Sequence, residues 1–147
     1  MFYLSAYLEE HREEYIERLR AIGQQPDAWN QWIAFFLEAL DQQARANAEK
    51  ARAIMDLYAR LKDRLIGLTR SQFAVPLLDQ IFERPLFHRA NLKFPEEHSP
   101  SRQAIAVLLR TLRDDGILSI VRQGRGRRPQ LMAFVELINL CEGKEVL

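Results

Sequence analysis

Apolar residues recur at steps of three and four along the first half of the chain, the spacing that places them on one face of an α-helix. Over residues 4–22 glutamates fill the positions between them, and the pattern stops at Gly23 and Pro26. Glycine and proline disfavour a continued helix, so we predict one amphipathic helix that ends there. A second pattern opens at Asp27 and continues to Thr69. A helix of that length is predicted to bend or to pair with a neighbouring helix.

The second half of the chain has shorter apolar segments separated by turn residues. We predict helices at 73–82, 87–94 and 100–115, a turn at 95–98, strands at 117–121 and 131–134, and a final helix at 135–141. Three short helices followed by a two-stranded hairpin are typical of a winged helix. The predicted fold is therefore mainly α: a helical bundle or long helical hairpin over residues 1–70, then a winged helix-turn-helix domain with a small two-stranded wing over residues 71–147.

The turn between the two predicted strands is rich in arginine. Its four arginines are Arg122, Arg125, Arg127 and Arg128. No acidic residue lies between Asp115 and Glu136, and Gly124 and Gly126 permit a tight chain reversal. Guanidinium groups stay charged and bind phosphate oxygens in a bidentate geometry. The composition of this turn therefore predicts contact with phosphate groups.

The helix predicted at 100–115 is the candidate recognition helix of a DNA-binding domain, with Ser99 and Pro100 supplying its start. Residues at the start of such a helix reach base edges in the major groove. The predicted DNA-binding residues are Ser101, Arg102, Gln103, Arg110, Arg122, Arg125, Arg127 and Arg128. The run Ala104–Leu109 is apolar over more than one turn, which favours phosphate contact over base reading. The predicted partner is double-stranded DNA.

Four large aromatic residues crowd the start of the second helical pattern. We predict that Trp29 and Phe36 fill the core, and that Trp32 and Phe35 lie at an interface, for example in a homodimer. Two hypotheses therefore remain open. The chain is either a DNA-binding module or a dimerisation or protein-interaction module whose winged helix does not bind DNA.

Several other functions are disfavoured by the residues that are absent. Cys141 is the sole cysteine of the 147 residues, so no internal disulfide or cysteine-based zinc site can form. His11, His88 and His98 stand far apart and outside any metal-binding motif. Glycine-rich phosphate loops and catalytic groupings are also missing, so we expect no cofactor, metal or catalytic residue. With no apolar run long enough for a bilayer and no secretory leader, we expect a cytoplasmic protein without membrane contact.

Three stretches together resemble the C-terminal half of Fic family proteins. They are Tyr3-Leu-Ser-Ala-Tyr-Leu-Glu-Glu-His-Arg-Glu-Glu-Tyr15, Trp29-Asn-Gln-Trp-Ile-Ala-Phe-Phe-Leu-Glu-Ala-Leu40 and, starting at residue 124, Gly-Arg-Gly-Arg-Arg-Pro-Gln-Leu-Met-Ala-Phe-Val-Glu-Leu-Ile-Asn139. The likeness covers essentially the whole chain. The family carries a catalytic core that typically moves AMP from ATP onto a protein hydroxyl, followed by a winged helix.

The resemblance implies a non-catalytic role for this chain. The family motif begins with His-Pro-Phe and continues to Gly-Asn-Gly-Arg, and neither part occurs here. Residues 4–15 would be the helix after that motif, so the chain is expected to be a DNA-binding or regulatory region that begins just beyond it. The catalytic Fic core would then be a partner in the parent protein. Relatives often carry a threonine and an arginine where this chain has Ala104 and Val107, which departs from the family pattern.

Overall fold

The computed structural model describes residues 4–95 and 99–146, and this part of the chain is mainly helical with one small antiparallel sheet. Its elements are α1 (Leu4–Glu10), α2 (Arg12–Ala21), α3 (Ala28–Thr69), α4 (Ala74–Glu83), β1 (Leu86–His88), a 3-10 helix (Arg89–Asn91), α5 (Arg102–Asp114), β2 (Ser119–Arg122), β3 (Leu131–Ala133) and α6 (Val135–Glu142). Contacts divide the chain into two compact units, Met1–Arg52 and Ala53–Leu147.

The first unit contains α1, α2 and the beginning of α3. The single helix predicted over residues 4–22 is interrupted at His11, whose backbone (φ −104°, ψ 29°) is not helical. The His11 ring packs on Tyr7 there, with ring centroids 4.3 Å apart. Helix α3 runs without interruption over the predicted range. It ends where the Thr69 hydroxyl donates to the Leu65 carbonyl and the next residue adopts a positive φ.

The second unit has a continuous apolar core. The last turns of α3 contribute one stripe to it, and α4, α5 and α6 contribute the others. Its most deeply buried side chains include Leu65, Leu77, Leu78, Ile81, Leu112, Leu118 and Phe134. One face of α3 beyond position 53, with Ile54, Leu57, Tyr58, Leu61 and Leu65, is therefore packed in the second unit. The division into a helical region over residues 1–70 and a winged helix-turn-helix domain over residues 71–147 stays a prediction.

The sheet has three strands in the order β1-β3-β2, one more than the two-stranded wing that the sequence predicted. The helix predicted at 87–94 is wrong over most of its length: Leu86, Phe87 and His88 pair with β3 as a strand, and only Arg89–Asn91 form a 3-10 helix. The Pro85 carbonyl accepts a hydrogen bond from the Phe134 amide at 2.7 Å, which fixes the edge of this pairing. Pairing with a distant strand outweighs the local helical pattern here.

Helix α5 is capped by a different serine from the one the sequence suggested. The Ser101 hydroxyl, and not Ser99, accepts a hydrogen bond from the Ala104 amide at 3.1 Å. The helix ends before Gly116, whose φ of 79° is the left-handed conformation that glycine adopts readily. Of the turn predicted at 95–98, residues 96–98 lie outside the described residues. Strands β2 and β3 and helix α6 lie close to the positions predicted from the sequence.

Candidate nucleic-acid interface

Helix α5 has a buried face and an opposite face that is open to solvent. Leu108, Leu109 and Leu112 pack in the core of the second unit. On the opposite side, residues three, four and seven apart share one face. This exposed face is formed by Gln103, Val107, Arg110 and Asp114. This face presents an amide, an apolar group, a cation and a carboxylate to solvent, where a macromolecular partner can contact them.

The apolar run Ala104–Leu109, which counted against base reading in the sequence, is divided between the two sides of α5. Leu108 and Leu109 are buried, whereas the Val107 side chain is 54% exposed. Residues 104–106 are half-buried. The run therefore contributes Leu108 and Leu109 to the core of the second unit, and its one exposed residue, Val107, lies among polar and charged side chains on the solvent-facing side of α5.

The start of α5 places the three predicted N-terminal residues on the surface. Ser101, Arg102 and Gln103 are all exposed. The Ser101 oxygen already accepts the capping hydrogen bond, so its proton and one lone pair remain for a further partner. The main-chain carbonyl of Arg102 accepts a hydrogen bond from the Arg89 guanidinium. This bond ties the segment after β1 to the beginning of the candidate recognition helix.

The segment between β2 and β3, residues 122–130, which we term the arginine loop, reverses direction in a tight two-residue turn. The Arg125 amide donates to the Arg128 carbonyl at 3.0 Å, and the Arg128 amide donates back to the Arg125 carbonyl at 3.1 Å. Gly126 is the first central residue and has a φ of 58°. Glycine at that position is typical of the type II′ turns that close hairpins. The loop is therefore an ordered hairpin tip.

The turn geometry sets two arginines against each other. Arg125 and Arg128 form a mutually hydrogen-bonded antiparallel pair, and residues directly opposite in such a pair project to the same face. Like charges directly opposite each other in such a pair are destabilising. The pair contributes no apolar contact in return, because both residues are exposed. An anion between the two guanidinium groups would relieve the repulsion.

The arginines of the loop have no carboxylate partner in the part of the chain that the structure describes. Its ion pairs involve other residues: the acids nearest in sequence, Asp114, Asp115 and Glu136, are bound by Arg113, Arg64 and Arg60. Asp115 is held by two guanidinium nitrogens of Arg64, each 2.8 Å from a carboxylate oxygen. Acids that could neutralise the loop are thus engaged elsewhere, and the positive charge of the loop faces solvent.

Two cations of this surface were missed by the sequence analysis. Arg89 and Arg113 join Arg110 around a pocket of about 170 Å³ between α5 and β3, with Gln130 on its far wall. Arg89 lies in a segment that the sequence assigned to a helix, so its approach to α5 could not be expected. Arg113 could have been found from its spacing of three residues from Arg110.

The aromatic residues of the first unit are arranged differently from the prediction. Phe35, predicted at an interface, is only 5% exposed. It packs between the rings of Tyr7 and Tyr15, each 6.4 Å away, with the Arg18 guanidinium 5.3 Å above its ring. Trp29, predicted in the core, is 57% exposed. The burial expected for these two residues is therefore wrong, because α1 and α2 cover the side of α3 that carries Phe35.

The other two aromatic residues are half-buried and stack on each other. The rings of Trp32 and Phe36 lie 5.3 Å apart and nearly parallel. Beside them, α3 exposes an apolar stripe formed by Trp29, Ile33, Leu37 and Leu40. These residues repeat at steps of four and three, so they share one helix face. The first unit therefore carries an uncovered apolar surface, and Trp32 borders it.

The described residues include no group of histidine, cysteine or acidic side chains that could hold a metal ion. Across the same residues, no helix combines the length and apolar character needed to cross a bilayer. Comparison of the sequence with known protein families finds no family that matches.

Proposed function

We propose that this chain binds double-stranded DNA through α5 and the arginine loop, and that its second unit is a winged helix. The order of elements supports this: a helix, a strand, a short helical turn, a second helix and a hairpin follow one another from α4 to β3. The three-stranded antiparallel sheet is compatible with that fold. In a winged helix the second helix of the motif enters the major groove, and the hairpin reaches the flanking backbone.

The observation that carries the proposal is the placement of unpaired guanidinium groups on an ordered hairpin beside an exposed helix face. Arg125 and Arg128 are paired across the turn as like charges, and the described residues offer them no carboxylate. Phosphate groups, like carboxylates, bind arginine in a bidentate geometry. A duplex presents phosphates in a regular row, so several arginines can be satisfied together.

The proposal extends to the protein in which such a region would act. The three stretches that resemble Fic proteins support a role as the non-catalytic C-terminal region of a Fic-type protein AMP-transferase. Binding to DNA would then hold the transferase core near the duplex, or control the access of the core to its target proteins. This part of the proposal rests on the sequence alone. Linking this chain to a Fic core and measuring AMP transfer with and without duplex DNA would test it.

One observation favours a second candidate function, a dimerisation or protein-interaction module. The apolar stripe of Trp29, Ile33, Leu37 and Leu40 is uncovered in the first unit. Exposed apolar surface of this kind is typical of contact sites. The two functions are compatible, because many winged-helix proteins bind DNA as dimers on paired half-sites.

A titration of the intact chain against a fluorescent 20-base-pair duplex tests the DNA proposal. Affinity measured between 50 and 200 mM salt should fall about 100-fold if four arginines contact phosphates, since each contact adds about 0.9 to the slope of log affinity against log salt. Affinity that is weak at 50 mM salt and insensitive to salt would contradict the proposal. A duplex-sized dextran sulfate competitor separates general polyanion binding from duplex recognition.

A further inference from the structure

The exposed face of α5 carries two side chains whose chemistry differs from that of the arginines around them. Gln103 and Val107 are one helical turn apart on the side of α5 opposite the buried Leu108 and Leu112. The Val107 side chain is 54% exposed, and the Gln103 side-chain amide makes no hydrogen bond with the described residues. Neither side chain contributes to the core of the second unit. Both side chains are therefore available to a partner that contacts this face.

We infer that α5 reads A·T base pairs, with Gln103 recognising adenine and Val107 contacting a thymine methyl group. This inference rests on the proposed DNA-binding function. A glutamine amide has one donor and one acceptor, which match N7 and N6 of adenine in the major groove. An aliphatic side chain packs on the C5-methyl group of thymine, which no other DNA base presents.

The spacing of the two residues fits neighbouring base pairs. Four residues of helix span about 6 Å at 1.5 Å per residue. Base pairs stack about 3.4 Å apart, so two side chains about 6 Å apart along the helix fall within three consecutive base pairs. Arg110, on the same face, continues toward the backbone, where its charge is suited to phosphate. One α-helical face would thus contain a base-reading part and a backbone-binding part.

Asp114 shares this face and would repel a phosphate if its charge were free. Its carboxylate instead accepts two hydrogen bonds from the neighbouring Arg113, at 2.7 and 3.1 Å. Asp114 also lies at the end of α5, about 16 Å along the axis from Gln103 at 1.5 Å per residue. The recognition of bases by Gln103 and Val107 is therefore compatible with the charges on the same face.

The test begins with selection of bound duplexes from a random pool by the intact chain. The selected site is then synthesised with single-atom-group changes: 7-deazaadenine removes N7 of adenine, and uracil removes the methyl group of thymine. We expect about a tenfold loss of affinity for the deazaadenine change and about a fourfold loss for the uracil change, since a bidentate contact and one buried methyl group contribute on this scale.

Two variants assign each loss to its side chain. In Gln103→Ala, 7-deazaadenine should no longer lower the affinity, while uracil still lowers it. In Val107→Ala, uracil should no longer lower the affinity, while 7-deazaadenine still does. Each of these losses of affinity is the penalty of that base change. Gln42→Ala and Val146→Ala make the same chemical changes at exposed positions outside α5, and both penalties should persist in them. Thermal melting followed by circular dichroism checks that all four variants fold.

The outcomes separate this inference from the function on which it rests. Salt-dependent duplex binding with no A·T preference, or with penalties unchanged in Gln103→Ala and Val107→Ala, would overturn the base-reading inference and leave DNA binding standing. Absence of salt-dependent duplex binding would overturn both. Loss of each penalty in its matched variant alone would support both.

Discussion

The two units of this chain differ in what they bury and in what they leave exposed. In the second unit, side chains from four helices and the sheet enclose a core in which several residues have no exposed surface. In the first unit, α2 buries none of its residues, and Phe35 is the one large side chain fully enclosed among those described. The second unit therefore has the larger enclosed core, whereas most of the large apolar side chains at the start of α3 in the first unit stay exposed.

The chemistry of the exposed groups differs as well. Among the described residues, the arginine loop of the second unit exposes arginines that have no carboxylate partner, and the first unit exposes a row of tryptophan, isoleucine and leucine on one side of α3. The second unit also exposes large apolar side chains, such as Met55, Leu86 and Val121, but these lie on separate elements. Unpaired cations suit a polyanion, and uncovered apolar groups suit a protein surface. The difference indicates two kinds of contact in one chain, and each can be removed separately.

The largest expected effect concerns the core. Leu65→Ala should destabilise the protein by about 2–5 kcal/mol, because it leaves a cavity where a leucine is fully buried. Leu37→Ala, at a position 58% exposed, should change the free energy of unfolding by less than about 0.5 kcal/mol. Urea denaturation measures both. Similar losses in the two variants would contradict the contrast between the units.

The next effect concerns the apolar stripe of the first unit. If it forms a contact between copies, Ile33→Glu with Leu37→Glu should weaken self-association at least about 30-fold, because charges would be buried in an apolar interface. Gln31→Glu with Ala46→Glu adds the same charge at exposed positions of α3 outside the stripe. Sedimentation equilibrium compares the two pairs. If the unaltered protein and both double variants are all monomers, the stripe is not a contact between copies of this chain.

A smaller effect is expected at the tip of the arginine loop. Gly126→Ala should cost about 1 kcal/mol, because its φ of 58° disfavours any residue with a Cβ atom. The Cβ itself would meet no atom within 4 Å, so the cost arises from the backbone alone. Gly23→Ala, at a position with equal space and no positive φ, is the control. Equal stabilities of the two variants would show that the hairpin tip relaxes freely.

The smallest effect concerns a hydrogen bond of the second unit. The Tyr58 hydroxyl donates to Asp79 at 2.6 Å, and this bond, with burial, raises the pKa of Tyr58 above its usual value of 10.0. Its contribution, about 0.5 kcal/mol for an exposed hydrogen bond, is therefore present below pH 10 and is lost as the pH rises through the folded-state value. Stability should fall as the pH rises above about 10, and fall less in Tyr58→Phe. An identical pH profile in both proteins would contradict this assignment.

The sequence predicts the helices better than the contacts between them. The three- and four-residue spacing from residue 28 to 69 was sufficient to predict α3, and the arginines at 125, 127 and 128 were sufficient to predict the charged hairpin. The strand at Leu86–His88 could not be predicted, because its partner is about 45 residues away at Leu131–Ala133. Local periodicity carries no information about such a pairing.

The burial of aromatic residues was unpredictable for a related reason. Trp29 and Phe35 both fit an apolar helix face, and only the position of α1 and α2 decides which of them is covered. The same holds for the run from Ala104 to Leu109, where the sheet and neighbouring helices bury Leu108 and Leu109 and leave Val107 in solvent. Packing partners, rather than residue type, determine which apolar groups remain available for binding.

The measurement that tests the DNA-binding proposal most directly compares two triple variants with equal loss of charge. One replaces Arg125, Arg127 and Arg128 by glutamine, and the other replaces three exposed arginines of the first unit, Arg20, Arg45 and Arg52. Duplex affinity is measured across a salt series. The loop variant should lower the slope of log affinity against log salt by about 2.7, at about 0.9 per phosphate contact, while the control keeps the slope of the unaltered protein. Equal slopes in the two variants would contradict the proposal.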